Sequence, residues 1–337
     1  MATPVVRSRR MPAALTAILT TLLLFLTACS GGGSGDTAGG DDAGAALDPA
    51  NPTAITVGVI PIVDTAPFRL GVEKGFFKEL GLDITVQDAQ GGAAIVPAVM
   101  SGSNQIGFSN LSSVVIAKSQ ELPVRIIGAG VETTGDAAGD FGGVVASADS
   151  GIASAKDLEG KTVAVNTLNN IGDTMTRYAV EQDGGDPSKV KFVEMAFPDM
   201  PAQLASGNIE AAWVVDPFYT VMQGQGANVV DTVFVTFHED LQIGGFFTTD
   251  TYLAENAAVV EAFKEGLKKS NEYASENEQE VRDFLGTYTK IDPEIANTIV
   301  MPQWPTELNE EALQKLADEG QKYGMISKKV EVKDLIG

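Results

Sequence analysis

Four stretches of the chain place small polar side chains directly after runs of β-branched and apolar residues. Asp64 and Thr65 follow Ile55 to Val59, and Ser109 with Asn110 follows Ile106 to Phe108. Asn166, Thr167, Asn170 and Asp173 follow Thr162 to Val165, and Asp216 with Phe218 follows Ala211 to Val215. Open α/β sheets bind ligands beyond the carboxyl ends of their strands, so these groups are the candidate contacts. Phe68 adds an apolar wall or, like Phe76, simply packs in the core, and Gly92 opens a helix whose unpaired N–H groups a ligand can approach closely. The chemistry they suit is recognition: carboxylates for an ammonium or amine, and hydroxyl, amide and helix N–H groups for an anionic oxygen. Covalent chemistry is poorly served. His238 is the only histidine and Cys29 the only cysteine, which leaves neither a zinc set nor a histidine-based triad.

The elements that must hold these groups follow from period and punctuation. Ile55, Val57 and Val59 alternate in a strand buried on both faces, and Pro61 stops it. Asp64 and Thr65 can accept from free helix N–H groups, and Pro67 suits a first helical turn. Phe68, Val72, Phe76 and Leu80 then share one stripe, predicting a helix to Gly81, and Asp83 to Gln87 restarts as a parallel strand. A helix from Gly92 towards Met100, a strand at Ile106 to Phe108, a helix from Leu111 to Lys118 and a strand at Val124 to Ala129 complete the first half. The pattern begins anew at Lys161, with strands at Thr162 to Val165, Val190 to Val193, Ala211 to Val215 and Asn228 to Val230, and helices at Asp173 to Glu181 and Pro201 to Ser206. Gly143 to Ser147 and Ile243 to Thr249 read as two glycine-bearing crossings between the halves, able to absorb a hinge motion. From Asn256 the chain is helical: Val259, Phe263 and Leu267 form a stripe, Ser275 with Glu278 fits a capping box, Asp292-Pro293 opens a helix, and Asn309 to Tyr323 forms a last amphipathic one. Gly160-Lys161-Thr162 has the ending of a phosphate-binding loop, but Ala155 occupies the place of its first glycine and Lys161-Thr162 opens a strand instead of a helix.

With 337 residues, the chain holds one large or two ordinary domains. Arg7, Arg9 and Arg10 precede an apolar run from Ala13 to Leu26 that is short for a membrane span and typical of a signal peptide. Leu26-Thr27-Ala28-Cys29 resembles the lipobox of bacterial lipoproteins, in which the cysteine is diacylated. Residues 1–28 are therefore expected to be a signal peptide. Residues 29–53, rich in Gly, Ala, Ser, Asp and Pro, are expected to be a tether that buries too little to fold. The formal net charge is −22, and removing the signal takes away three arginines and no acid. Bulk electrostatics therefore exclude nucleic acid and anionic lipid as partners.

Longer motifs carry a resemblance. Gly71-Val72-Glu73-Lys74-Gly75-Phe76-Phe77 before Leu80-Gly81-Leu82, Met100-Ser101-Gly102 before Ile106-Gly107, Asp157 to Val165, Gly207-Asn208-Ile209-Glu210-Ala211-Ala212 and Asp216-Pro217-Phe218 follow one another in order and spacing. In these the chain resembles, from Ile55 to about Tyr323, the type 2 periplasmic binding proteins of the nitrate, sulfonate and taurine ABC-transporter group, which includes pyrimidine-precursor binders. The resemblance implies an α/β fold of two lobes joined by two crossing strands, one lobe of residues 54–150 plus 245–337 and the other of 151–244. It implies a monomer without cofactor or metal, anchored through lipidated Cys29 outside the cell membrane, that closes over a small solute and delivers it to a permease and its ATPase. The family often has Glu where this chain has Asp216, which leaves the solute open. The candidate loops carry Asp64, Asp173 and Asp216 but no lysine, and Arg69 and Arg177 are expected to face elsewhere, so simple oxyanions are disfavoured. A taurine-like aminosulfonate fits, with its sulfonate against Ser109, Asn110 and the N–H groups near Gly92 and its ammonium on Asp216 or Asp64. An aminopyrimidine is the alternative, stacking on Phe68, Trp213 or Phe218 and sharing two hydrogen bonds with Asp216. A pyrimidine-synthesising enzyme of the same fold is the rival class, but those use a cofactor-binding lysine and a cysteine-rich motif, and no cysteine follows Cys29.

Overall fold

A computed structural model describes residues 47–337. The expected signal peptide, Cys29 and most of the expected tether lie outside these residues. The chain enters β1 (Thr53–Val59), turns into α1 (Ala66–Glu73) and returns in β2 (Leu82–Asp88), followed by α2 (Gly92–Met100), β3 (Ile106–Asn110), α3 (Leu111–Ser119) and β4 (Val124–Glu132). Next come β5 (Gly142–Ala146), β6 (Thr162–Val165), α4 (Ile171–Gln182), β7 (Lys191–Glu194), α5 (Met200–Ala205), β8 (Ala211–Val215), α6 (Phe218–Gly224), β9 (Asn228–Asp231) and α7 (Val233–Phe237). Finally β10 (Gln242–Thr249) leads into α8 (Asp250–Glu255), α9 (Ala257–Glu276), α10 (Glu278–Thr289), α11 (Pro293–Ala296) and α12 (Glu310–Lys322).

The strands form two five-stranded sheets, ordered β2-β1-β3-β10-β4 and β7-β6-β8-β5-β9. β1 is parallel to β2 and β3, and β6 is parallel to β7 and β8. Each sheet then takes one antiparallel strand from chain that has just arrived from the other: β10 pairs with β3 and β4, and β5 pairs with β8 and β9. This corrects the two expected crossings. Gly143 to Ser147 falls largely in β5, inside the second sheet, and Ile243 to Thr249 falls in β10, inside the first. The chain passes between the sheets just before each, at residues 133–141 and 238–241. There the two passages lie side by side, with Thr133 N–H donating to Leu241 O at 2.9 Å. The glycines of β5 and β10 serve close packing: a Cβ on Gly142 would stand 2.7 Å from the Phe234 ring, and one on Gly244 would stand 2.5 Å from the Phe108 ring.

The helix expected from Phe68 to Leu80 ends early, at Glu73. Gly75 adopts φ +79°, Gly75 N–H bonds Val72 O and Phe76 N–H bonds Gly71 O, the paired bonds of a Schellman stop. The break moves the stripe by one residue. Phe77, not Phe76, enters the core, while Phe76 lies edge-on to Tyr273 with Lys269 over its face. The end of the expected tether is also ordered: Leu47 packs on the core beside Gly81, and β1 begins at Thr53. Ser275 does not cap a helix; it lies in the last turn of α9 and donates to Asn271 O, while Asn277 precedes α10. The segment after residue 245 continues β10 in the first sheet and packs α9 on β4, and its α12 also reaches elements of the second sheet. Lys322 on α12 pairs with Glu181 on α4 at 2.7 Å, and Lys315 bonds Phe237 O at the end of α7.

Candidate ligand-binding cleft

The carboxyl ends of the parallel strands in both sheets face one another. Val63 N–H, after β1, donates to Asp216 O, after β8, at 3.1 Å. Asn170 Nδ2–H, after β6, donates to Ser113 Oγ on α3 at 3.0 Å. Gly91 lies against the loop after β6, so that an added Cβ would meet Thr167 Oγ1 at 3.1 Å and Asn166 Nδ2 at 3.2 Å. The four candidate loops therefore come together in two pairs, the loop after β1 with the loop after β8 and the start of α3 with the loop after β6, and the space between the two sheets is the candidate cleft.

Several polar atoms in or next to these loops are buried without a protein partner: Asp64 Oδ1, Ser109 Oγ, Asn166 Oδ1 and Asp216 Oδ2, with Ser112 Oγ on α3 and Trp213 Nε1 on β8. Buried polar groups are nearly always hydrogen-bonded, so these atoms are the candidate contacts for a polar group held between the sheets. The two carboxyls, one from each lobe, dominate the electrostatics there. Burial pushes Asp64 up to about 7, with a further rise from Asp216. Burial likewise pushes Asp216 up to about 7, with Asp140 adding to the rise and the Thr220 N–H, bonded to Oδ1 at 2.8 Å, opposing it. Neither candidate arginine neutralises them. Arg69 is engaged by Thr65 Oγ1, Asp88 and the Tyr288 ring, and Arg177 by Pro187 O and the Phe192 ring. α2 starts at Gly92 with no side-chain cap. A Cβ on Gly92 would lie 2.3 Å from Ser109 Oγ and 2.2 Å from Ser113 Oγ, so only glycine lets this helix start sit against the serines.

Other expected site residues have structural duties. The Phe68 ring is buried among Phe77, Phe246 and Phe263, with centroids 5.5, 5.1 and 5.9 Å away. It points into the core because it lies on the inward stripe of α1. Thr65 Oγ1 donates to Ile60 O at 2.8 Å and so folds the loop after β1. Asn110 caps α3, its Oδ1 accepting Ser113 N–H at 3.0 Å. Asn170 and Asp173 form a capping box on α4, and Asp173 accepts the N–H groups of Asn170 and Asn169 at 2.7 and 2.6 Å. Phe218 is half-buried and lies nearly parallel to Phe197 at 5.9 Å, and Phe197 lies 5.9 Å from Trp213. Sequence reasoning missed Ser113, the Val63 N–H and Asp140. The Asn110-to-Ser113 spacing of a helix cap was the available signal for Ser113; Val63 and Asp140 had none.

The comparisons agree with this architecture. The family model described as NMT1/THI5 like matches residues 63–281. The formylaminopyrimidine-binding protein of Halalkalibacterium halodurans is 24% identical over 225 residues, 65% of this chain and 64% of that protein. The taurine-binding periplasmic protein of Escherichia coli is 26% identical over 180 residues, 53% of this chain and 54% of that one. The chain thus spans a little over half to about two thirds of these curated relatives. The alkanesulfonate-binding protein SsuA from Xanthomonas axonopodis pv. citri, solved with MOPS bound, superposes with a TM-score of 0.71 at 15% identity, covering 85% of this chain and 99% of that one. The fold is that of the periplasmic binding proteins, and with well over half of its length matched the chain belongs to the NMT1/THI5-like family.

Proposed function

We propose that this protein is the solute-binding component of an ABC importer, anchored outside the cell membrane by lipidated Cys29, and that it closes on a small polar organic solute carrying an amine or other cationic donor group. The observation that carries this reading is the pair of buried carboxyls, Asp64 Oδ1 and Asp216 Oδ2, supplied by opposite lobes and unpartnered within the protein. Asp64 responds to the charge of Asp216, so a cation or N–H donor bound beside them would be stabilised by both carboxyls. An inorganic anion placed there would meet repulsion of roughly 4 kcal/mol per unit charge pair at 4 Å. A taurine-like aminosulfonate uses both ends of the cleft, its sulfonate at Ser109 Oγ and the N–H groups at the start of α2. An aminopyrimidine is the second reading, favoured by the parallel rings of Phe218 and Phe197 beside Asp216. Recognition without covalent change fits a chain whose only cysteine is Cys29.

A thermal-shift panel tests the reading. Solute at about 100 times its dissociation constant stabilises the fold by roughly 2.7 kcal/mol, so taurine, longer aminosulfonates, aminopyrimidines and nitrate separate cleanly. Nitrate shifting the wild type, with Asp216→Asn binding it at least as well, would defeat both organic readings. The anchor has its own test. Two acyl chains give stable membrane attachment where one is marginal, so Cys29→Ala is expected to move the protein from the membrane pellet to the soluble fraction. Unchanged pelleting would refute anchoring at Cys29.

A further inference from the structure

The starts of α3 and α4 touch across the cleft through a single side-chain hydrogen bond. Asn170 Oδ1 is committed to its own helix, accepting Ile171 N–H at 2.7 Å, which fixes the amide and aims Nδ2–H outward at Ser113 Oγ, 3.0 Å away. Ser113 Oγ in turn donates to Asn110 Oδ1 at 3.2 Å, the oxygen that also accepts Ser113 N–H. A relay thus runs from the cap of one helix to the cap of the other, Asn170 to Ser113 to Asn110. All three residues are at least nine-tenths buried. Both ends are rigid, because Asp173 holds the Asn170 and Asn169 N–H groups and Gly92 packs directly on Ser113.

We propose that Asn170 and Ser113 form a clasp between the lobes that stabilises the closed state and so sets how long a bound solute is held, acting as positioning residues and not as solute contacts. The inference deepens the solute-binding reading and rests on it for its purpose. The bond joins residues of different lobes, so opening the cleft breaks it while each helix keeps its own cap. Removing it therefore lowers the closed population and leaves both lobes intact. A neutral buried hydrogen bond of ordinary strength corresponds to a change of about five- to tenfold in the ratio of closed to open protein.

The test measures label-to-label distances in solute-free full-length protein carrying Cys29→Ala, with cysteines introduced at the exposed Ser103 and Ser206, one on each lobe. Ser113→Ala removes the acceptor, and Asn170→Ser keeps a capping oxygen while removing the amide donor. Each variant is expected to lower the closed-to-open ratio five- to tenfold, and the double variant to be no worse than either single one, because the two residues contribute one shared bond. Urea midpoints near wild type exclude fraying of α3 or α4 as the cause. A wild type with no closed population, unchanged ratios, or losses that add in the double variant would overturn the clasp. Failure of the solute reading appears separately, as a thermal-shift panel in which nothing binds.

Discussion

Replacing Asp216 with asparagine is expected to raise the stability of the solute-free protein at pH 8 and to flatten its dependence on pH between about 4 and 7. The carboxyl titrates near 7 in the folded protein against 3.8 as the reference, so across that window the native state keeps a proton that the unfolded chain has lost. Stability then falls as pH rises, by up to about 1.4 kcal/mol per pH unit for this group. Below pH 4 both states are protonated and no penalty exists; above 7 the full penalty of about 4 kcal/mol is present. Asparagine keeps an oxygen for the Thr220 N–H but introduces donors that cost roughly 1–3 kcal/mol if unmet, leaving a net gain of about 2 kcal/mol at pH 8. Asp64→Asn follows the same sign, since Asp64 is raised to about 7 by the same burial. Urea unfolding at half-unit pH steps checks this. The acidic surface of the chain also loses repulsion on acidification, but equally in wild type and variant, so the difference between the two curves isolates the carboxyl. Parallel curves would remove the electrostatic basis of the cleft. The same substitution is expected to weaken a cationic solute strongly, because the charge that destabilises the solute-free closed form is the charge that recognises the ligand.

Local rules in the sequence were enough for most of the parallel strands and their helices. β1, α2, β3, β6 and β8 appear where alternation, glycine stops and polar caps place them, because neighbouring residues decide those features. β5 and β10 did not yield to the same reasoning. Each is antiparallel to strands distant in sequence, and their glycines, read as hinge positions, are where Phe234 and Phe108 press against the backbone. The helix after β1 was overextended because Phe76 and Leu80 continued the period, and the left-handed Gly75 outweighed them.

The candidate cleft was partly legible for a related reason. Asp64, Ser109, Asn166 and Asp216 follow strands and carry buried oxygens without a protein partner, which keeps them as candidates. Asn110, Asn170 and Asp173 obeyed the same signal and turned out to be caps, since a cap and a ligand contact draw on the same short polar side chains at the same helix starts. Only the distribution of hydrogen bonds separates the two. Ser113 shows the converse, a residue whose importance arises from a partner 57 positions away.

Phe68 gives the sharpest division between core and cleft. Its ring sits on three other phenylalanines and is 1% exposed. Phe68→Ala is therefore expected to cost about 3–5 kcal/mol of stability, the range for deleting a buried phenyl ring, part of it from the lost edge-on contacts. Solute affinity, measured at a temperature where the variant remains folded, is expected to stay within about threefold of wild type, since about 1.4 kcal/mol would be needed for a tenfold change. Phe218→Ala should behave oppositely. That ring is only half-buried and rests on Phe197 near Asp216, so its loss should cost little stability and reduce the affinity of an aminopyrimidine while sparing an aminosulfonate. Urea midpoints and calorimetric affinities for both variants decide the matter. A Phe68→Ala protein of near-native stability that no longer binds solute would place that ring in the cleft and overturn its assignment to the core.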